Sequence, residues 1–322
     1  MKRKHRIIVW IVIILVLFAG ITGLFLYRKG KDTKPGSSPA KETTQPAMGE
    51  EPKILVMAVD APFDTAYGKL ALAYKEEVET MSDGMLTIDI YENGILGTGM
   101  ELLTTIGNDA NAADIMLVPI SDLAEVGCTD SAKLLEPYRF NGHDGFLKWA
   151  KSKEAAALLE EPERSGLGAT GLFFTEDGFR YLFLKEDHGE VKGKQIAAKA
   201  SEWGEKYVSQ TGGVYQYLPS VDIKEAILSG DLDGVEQDLR FYKENSLWEA
   251  APYIIVDYHL FSPCSVLITL EAAEKLSKEE RDILKTAGKK AAEASIESIK
   301  QEEEAMLKAF SGYGAKTVKL KK

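Results

Sequence analysis

Gly230–Tyr242 reads GDLDGVEQDLRFY, and it brings Asp231, Asp233, Glu236 and Asp238 close together. Carboxylates this dense hold a cation, form an acid–base pair, or cap and solvate a turn. A calcium loop needs oxygen ligands at alternate positions, glycine at the sixth and a bidentate glutamate at the twelfth. Counting from Asp231, Asp233 meets the third position, but Val235 fails the fifth. Glu236 stands where glycine belongs and Tyr242 where glutamate belongs, so the calcium reading fails. An acid–base pair needs a neighbour that tunes one carboxylate, and the stretch shows no histidine or lysine in that role. Spacing alone leaves the acid–base pair and the solvated or capping turn both open.

The rest of the chain offers little else that could do catalysis. No HExxH, CxxC, GxSxG or phosphate-binding P-loop occurs. His5, His143, His188 and His259 have no ligand spacing. Gly97 and Gly99 begin a dinucleotide-like pattern, but Leu102 occupies the third glycine position. No catalytic residue, metal or cofactor is predicted.

The elements around these residues follow from periodicity. Ile54–Val59 is an apolar run suited to a buried parallel strand. Tyr67, Leu70, Ala71, Tyr74, Val78 and Met81 recur at spacings of three and four, one stripe of a helix. Leu86, Ile88 and Ile90 alternate with polar neighbours, a strand buried on one face. A short helix over MELLTTIGN and an apolar strand over DIMLVPI complete a βαβαβ series, hence a mostly parallel sheet with helices on its faces. The second half repeats the theme. GLGATGLFF, GKQIAAK, PYIIVDYHL and VLITL read as separate strands, and DIKEAILSG as a helix ending at Gly230. One long helix begins at a capping box of Ser277 and Glu280, with Ile283, Ala287, Ala291 and Ala294 on its small-residue face.

The chain has 322 residues, 45% hydrophobic and 28% charged, with a net charge of −11. That balance argues against nucleic acid as a partner, which needs clustered Lys and Arg. Residues 1–6 are basic, and Ile7–Tyr27 is an uncharged apolar run long enough to cross a ~30 Å hydrocarbon layer as a helix. A cleavable signal peptide competes. Its apolar region would usually be about 7–15 residues and end at a small-x-small site, whereas this run is longer and is followed by Arg28, Lys29 and Lys31. An uncleaved transmembrane anchor over 7–27 is favoured, followed by a disordered linker over 28–52 rich in Lys, Thr, Ser, Pro and Glu. Cys128 and Cys264 read as two buried thiols, with a disulfide between them as the alternative.

Five segments in order carry a family resemblance: KLALAYKEEVETMSDGMLTIDIYENGILGTGMELLTTI, DGFRYLF, VKGKQIAAK, SVDIKEAILSGDLDGVEQD and LEAAEKLSKEERDILKTAG. They resemble DctP-type solute-binding proteins, the extracytoplasmic receptors of tripartite ATP-independent periplasmic (TRAP) transporters, over most of 53–310. The resemblance implies an α/β, two-lobed periplasmic-binding-protein-like fold with a long connecting helix. Lobe I would be about 53–177 and 263–300, lobe II about 178–262 and 301–322. It implies a non-enzymatic receptor outside the cytoplasm, to which the apolar run 7–27 adds a membrane anchor. Its partners would be a small organic solute, a carboxylate among the options, and the TRAP membrane subunits. A sensory module on the same fold is the alternative.

The resemblance also places the ligand residues. The family's usual anchor is an arginine that pairs bidentately with a ligand carboxylate. The matching segment here is Gly193-Lys194-Gln195-Ile196 followed by Ala197, so that arginine is missing. A second basic position is kept as Arg180 in Gly178-Phe179-Arg180, and Lys199 is the next cation. Gln237 takes the place of a frequent asparagine and is expected to face the ligand, with the segment from a tight turn at Asp233-Gly234 forming a cleft-lining loop. Tyr67, Phe174 and Tyr258 are the aromatic candidates, and Trp203 a further one, with core packing the plainer reading of each.

Overall fold

The structure is a computed structural model and describes residues 51–108, 111–186 and 190–320. The run 7–27 read as a transmembrane anchor and nearly all of the expected linker lie outside the described residues. Among the described residues, no helix is long and apolar enough to cross a membrane.

One sheet organises the molecule. Its strands are β1 (Lys53–Ala58), β2 (Leu86–Tyr91), β3 (Ile115–Pro119), β4 (Ala169–Leu184), β5 (Gln195–Ala197), β6 (Val214–Gln216), β7 (Gly234–Gln237), β8 (Tyr253–Thr269) and β9 (Lys316–Val318). They lie in the order β2-β1-β3-β8-β4-β7-β5-β6, with β9 beside β8. At one end β1 pairs in parallel with β2 and β3, as the βαβαβ reading requires. At the other end β5 is parallel to β6 and β7. Between them β8 and β4 run antiparallel, with β8 pairing also with β3 and β4 also with β7.

Hydrophobic patterning explains the first lobe. Helix Ala66–Met81, capped by Thr65, buries Leu70, Ala71, Tyr74 and Val78. They pack with Leu55, Met57, Ile88 and Phe173 in one core. Met81, the last residue of the predicted stripe, is exposed instead. The long helix Lys278–Gly312 starts at the predicted capping box. It buries Leu284, Ala287, Gly288 and Ala291 in the same core, while Ala294 points out. Gly288 lets it approach closely, since a Cβ there would sit 2.0 Å from the Phe173 ring.

Two strands are longer than the sequence pattern suggested. β4 joins GLFF and FRYLFL into 16 residues, and β8 joins YIIV and VLIT into 17. At ~3.3 Å per residue each is about 50 Å long, enough to serve both lobes. The register of β4 on β8 shifts between Gly171 and Phe173, between Glu176 and Phe179, and between Arg180 and Leu182. Gly178 has φ +93° and, on β8, Tyr258 has φ +54°, a region that L-residues seldom occupy. The strands therefore bend where they pass between lobes.

Candidate functional site

The acidic stretch is placed first. Helix Ile223–Ser229 ends at Gly230 in the left-handed conformation, as read from the sequence. Asp231 accepts a hydrogen bond from the Ser229 hydroxyl, and Asp233 accepts one from the Gln195 backbone at 2.8 Å. Asp238 caps helix Leu239–Glu244 through the Phe241 backbone. These three fit a capping role. The predicted cleft-lining loop is instead strand β7, and Glu236 within it is fully buried rather than solvated. β7 forms because Gly234 lets its backbone close on Phe183, where a Cβ would lie 2.4 Å from the carbonyl oxygen.

Glu236 meets Arg180 across the β4–β7 pair. Arg180 Nε donates to Glu236 Oε1 at 2.5 Å, and Nη2 donates to Oε2 at 3.0 Å and to the Glu236 carbonyl at 3.1 Å. This is the bidentate match of guanidinium to carboxylate. His259 stands 3.6 Å from Glu236 Oε1, stacks on Tyr207 at 3.6 Å between ring centroids, and binds Asp257 through Nδ1. Burial works to raise the Glu236 pKa, but Arg180 and His259 together hold it at about 2.

A cavity of about 280 Å³ opens beside this pair. Its lining draws Tyr67, Ser121 and Asp122 from the first half of the described chain and Arg180, Lys199 and Trp203 from the second. A neighbouring cavity of about 560 Å³ shares Asp177 and Asp238 with it and runs along Ile299 and Met306 of the long helix. Asp177 is bound to Arg240 at 2.6 Å. Asp122 has its pKa raised, first by burial, against the hydrogen bond from Ser121 and the charge of Lys199. Among the described residues Lys199 forms no ion pair within 4 Å, and it is exposed. The Tyr67 hydroxyl lies 2.8 Å from Cys264 Sγ. Cys128 and Cys264 are both buried free thiols.

The candidate residues do not all converge. Arg180, Lys199, Tyr67 and Trp203 line the smaller cavity. Gln237 ends β7 beside it, its side-chain oxygen accepting from the Asp238 backbone at 3.1 Å. Ala197 is buried in β5 at 1% exposure and packs in the core. Phe174 packs on Trp149 in the core. Tyr258 lies at the strand bend against Phe179. Sequence reasoning missed Glu236, His259, Asp122 and Asp177. GVEQ shows no alternation that would mark Glu236 as inward, and its partner Arg180 lies 56 positions away.

The profile described as "Bacterial extracellular solute-binding protein, family 7" (DctP) matches residues 57–322. A C4-dicarboxylate-binding periplasmic protein from Rhodobacter capsulatus is 23% identical over 272 residues, which is 84% of this chain and 80% of that protein. Among solved structures, a TRAP periplasmic solute-binding protein from Ochrobactrum anthropi aligns with a TM-score of 0.76 at 18% identity, covering 85% of each chain. Another from Pseudomonas putida, with bound D-glucuronate, aligns at 0.67 and 18% identity, covering 84% of this chain and 88% of that one. With the family profile spanning both lobes and the long helix, the chain belongs to the DctP family of bacterial extracellular solute-binding proteins, the receptors of TRAP transporters.

Proposed function

We propose that the chain is a membrane-tethered TRAP receptor that captures a small polar organic solute between its lobes and delivers it to the transporter's membrane subunits. The observation that carries this is a cavity whose lining residues come from both halves of the described chain, which the paired strands β4 and β8 join. The strand bend at Glu176–Phe179 supports a lobe boundary near 177/178 and a hinge closure of the kind that such paired lobes undergo.

The charge pattern bears on the solute. Arg180 and Arg240 already serve Glu236 and Asp177. Lys199 is then the cation that faces the solute, as a point charge without the planar fork of a guanidinium. The related proteins named above bind a C4-dicarboxylate and D-glucuronate. This chain, with Ala197 in its core, is proposed to recognise a solute that needs no guanidinium–carboxylate fork. A thermal-shift panel of polar organic solutes, followed by small-angle scattering, tests the reading. Binding at 100 times Kd stabilises by ~2.7 kcal/mol, a readable shift. Simple C4-dicarboxylates are expected to give little shift, and the solute that binds should reduce the radius of gyration. An unchanged scattering curve at confirmed saturation would count against closure, and a clear dicarboxylate shift against the altered solute class.

Tethering rests on the apolar run Ile7–Tyr27 and the basic residues that follow it. The mature protein is expected to keep this segment. N-terminal sequencing that begins anywhere between Gly20 and Pro52 would refute the anchor.

A further inference from the structure

β4 has a back as well as a front at its bend. Asp177 and Arg180 reach the cavity, while Glu176, Gly178 and Phe179 are held from behind. His143, from helix Gly142–Ala150, stands between two carboxylates: Nδ1 lies 2.5 Å from Glu176 Oε1 and Nε2 lies 2.9 Å from Glu303 Oε2. Glu176 Oε2 accepts from the Gly178 backbone at 2.9 Å. Glu303, from the long helix, accepts from the Phe179 backbone at 3.0 Å and from the Tyr181 hydroxyl at 2.6 Å. His143, Glu176 and Glu303 are 6%, 1% and 8% exposed. Gly178 is required here, since a Cβ would lie 2.4 Å from Glu303 Oε1.

A neutral imidazole can donate through only one nitrogen, so its other lone pair would face a carboxylate. Both ring nitrogens of His143 face carboxylate oxygens, and with both carboxylates ionised an imidazolium satisfies the two contacts at once. We infer that His143 is a positioning residue for solute binding: as a doubly donating imidazolium it clamps Glu176 and Glu303, and so sets where Asp177 and Arg180 stand in the cleft. This rests on the cleft being the solute site. The charged β4 residues that line the cleft are thereby tied to a separate helix and to the C-terminal helix.

The ionisable groups around the clamp are Glu176 and Tyr181 on β4, Glu303 on the long helix and Tyr258 on β8, with Asp177 within reach of the Glu303 charge. Burial opposes the imidazolium, but the two carboxylates raise His143 to about 9. With the folded value above the usual 6.5, the clamp contributes fully below 6.5 and is lost as pH rises through about 9.

The test uses amide hydrogen exchange and NMR of the full chain, with no solute needed. In the unsubstituted protein, protection of the Gly178 and Phe179 amides, corrected for intrinsic base catalysis, should fall as pH passes through about 9. The Arg180 Nε–H resonance should move in step. In His143→Gln at neutral pH those two amides should exchange at least about tenfold faster, with no step at high pH, while β1 amides stay protected. If His143→Gln fails to fold, the titration of the unsubstituted protein decides alone. A flat pH profile at Gly178, Phe179 and Arg180, or unchanged signals in His143→Gln, would overturn the inference. The clamp can fail while solutes still bind, and the cleft reading can fail while the clamp titrates, so the two are separable.

Discussion

Arg180→Ala should destabilise the protein by about 3–5 kcal/mol, the cost of removing one partner of a buried ion pair. An exposed pair would lose about 1 kcal/mol or less. The difference comes from Glu236, which has no solvent exposure and would keep its charge with only His259 nearby. Urea unfolding measures the effect. Arg180→Met combined with Glu236→Leu should recover most of the loss, because two apolar groups leave no stranded charge. The acid limb gives a second check. Glu236 is depressed to about 2 from the usual 4.5, so its contribution is present above 4.5 and lost as pH falls through 2. In Arg180→Ala that acid-dependent loss should shrink sharply. A cost under about 1 kcal/mol would show that the pair is worth no more than a surface bridge.

Gly288→Ala should also destabilise, by about 2 kcal/mol, against what helix propensity alone predicts. In a solvent-facing helix the change would gain about 1 kcal/mol. Here the new methyl would lie 2.0 and 2.2 Å from two carbons of the Phe173 ring. That ring is 1% exposed and packs edge-on against Tyr74 at 5.0 Å, so it has no room to withdraw. Overpacking of this kind costs about 1–3 kcal/mol, and so close an approach belongs at the top of that range. Phe173→Leu in the same chain should relieve part of the cost. A rise in thermal stability for Gly288→Ala would mean that the long helix can shift away from the sheet.

The first lobe was legible because its elements are locally consistent. The stripe from Leu70 to Val78 and the alternation of Leu86 and Ile88 each point to the element that forms. β4 and β8 read as fragments because Thr175–Gly178 and Ser262–Pro263 interrupt their apolar runs. Those interruptions mark the bend, the cavity and the clamp, where function displaces the hydrophobic pattern. Nothing local sets Glu236 apart from its acidic neighbours, and only the pairing of β4 with β7 brings Arg180 to it. The clamp was invisible for the same reason. His143, Glu176 and Glu303 are far apart in the chain, and nothing local marks any of them.

The sharing of β4 and β8 bears on how such a chain can change over generations. Each lobe is assembled from stretches that are not contiguous, and the two longest strands of the sheet supply both. A single recombination joint therefore cannot exchange one lobe for that of a relative without cutting through paired strands in mid-register. New solute specificity on this framework must accumulate by substitution at positions that line the cavity and by changes in loops that leave the crossing strands whole.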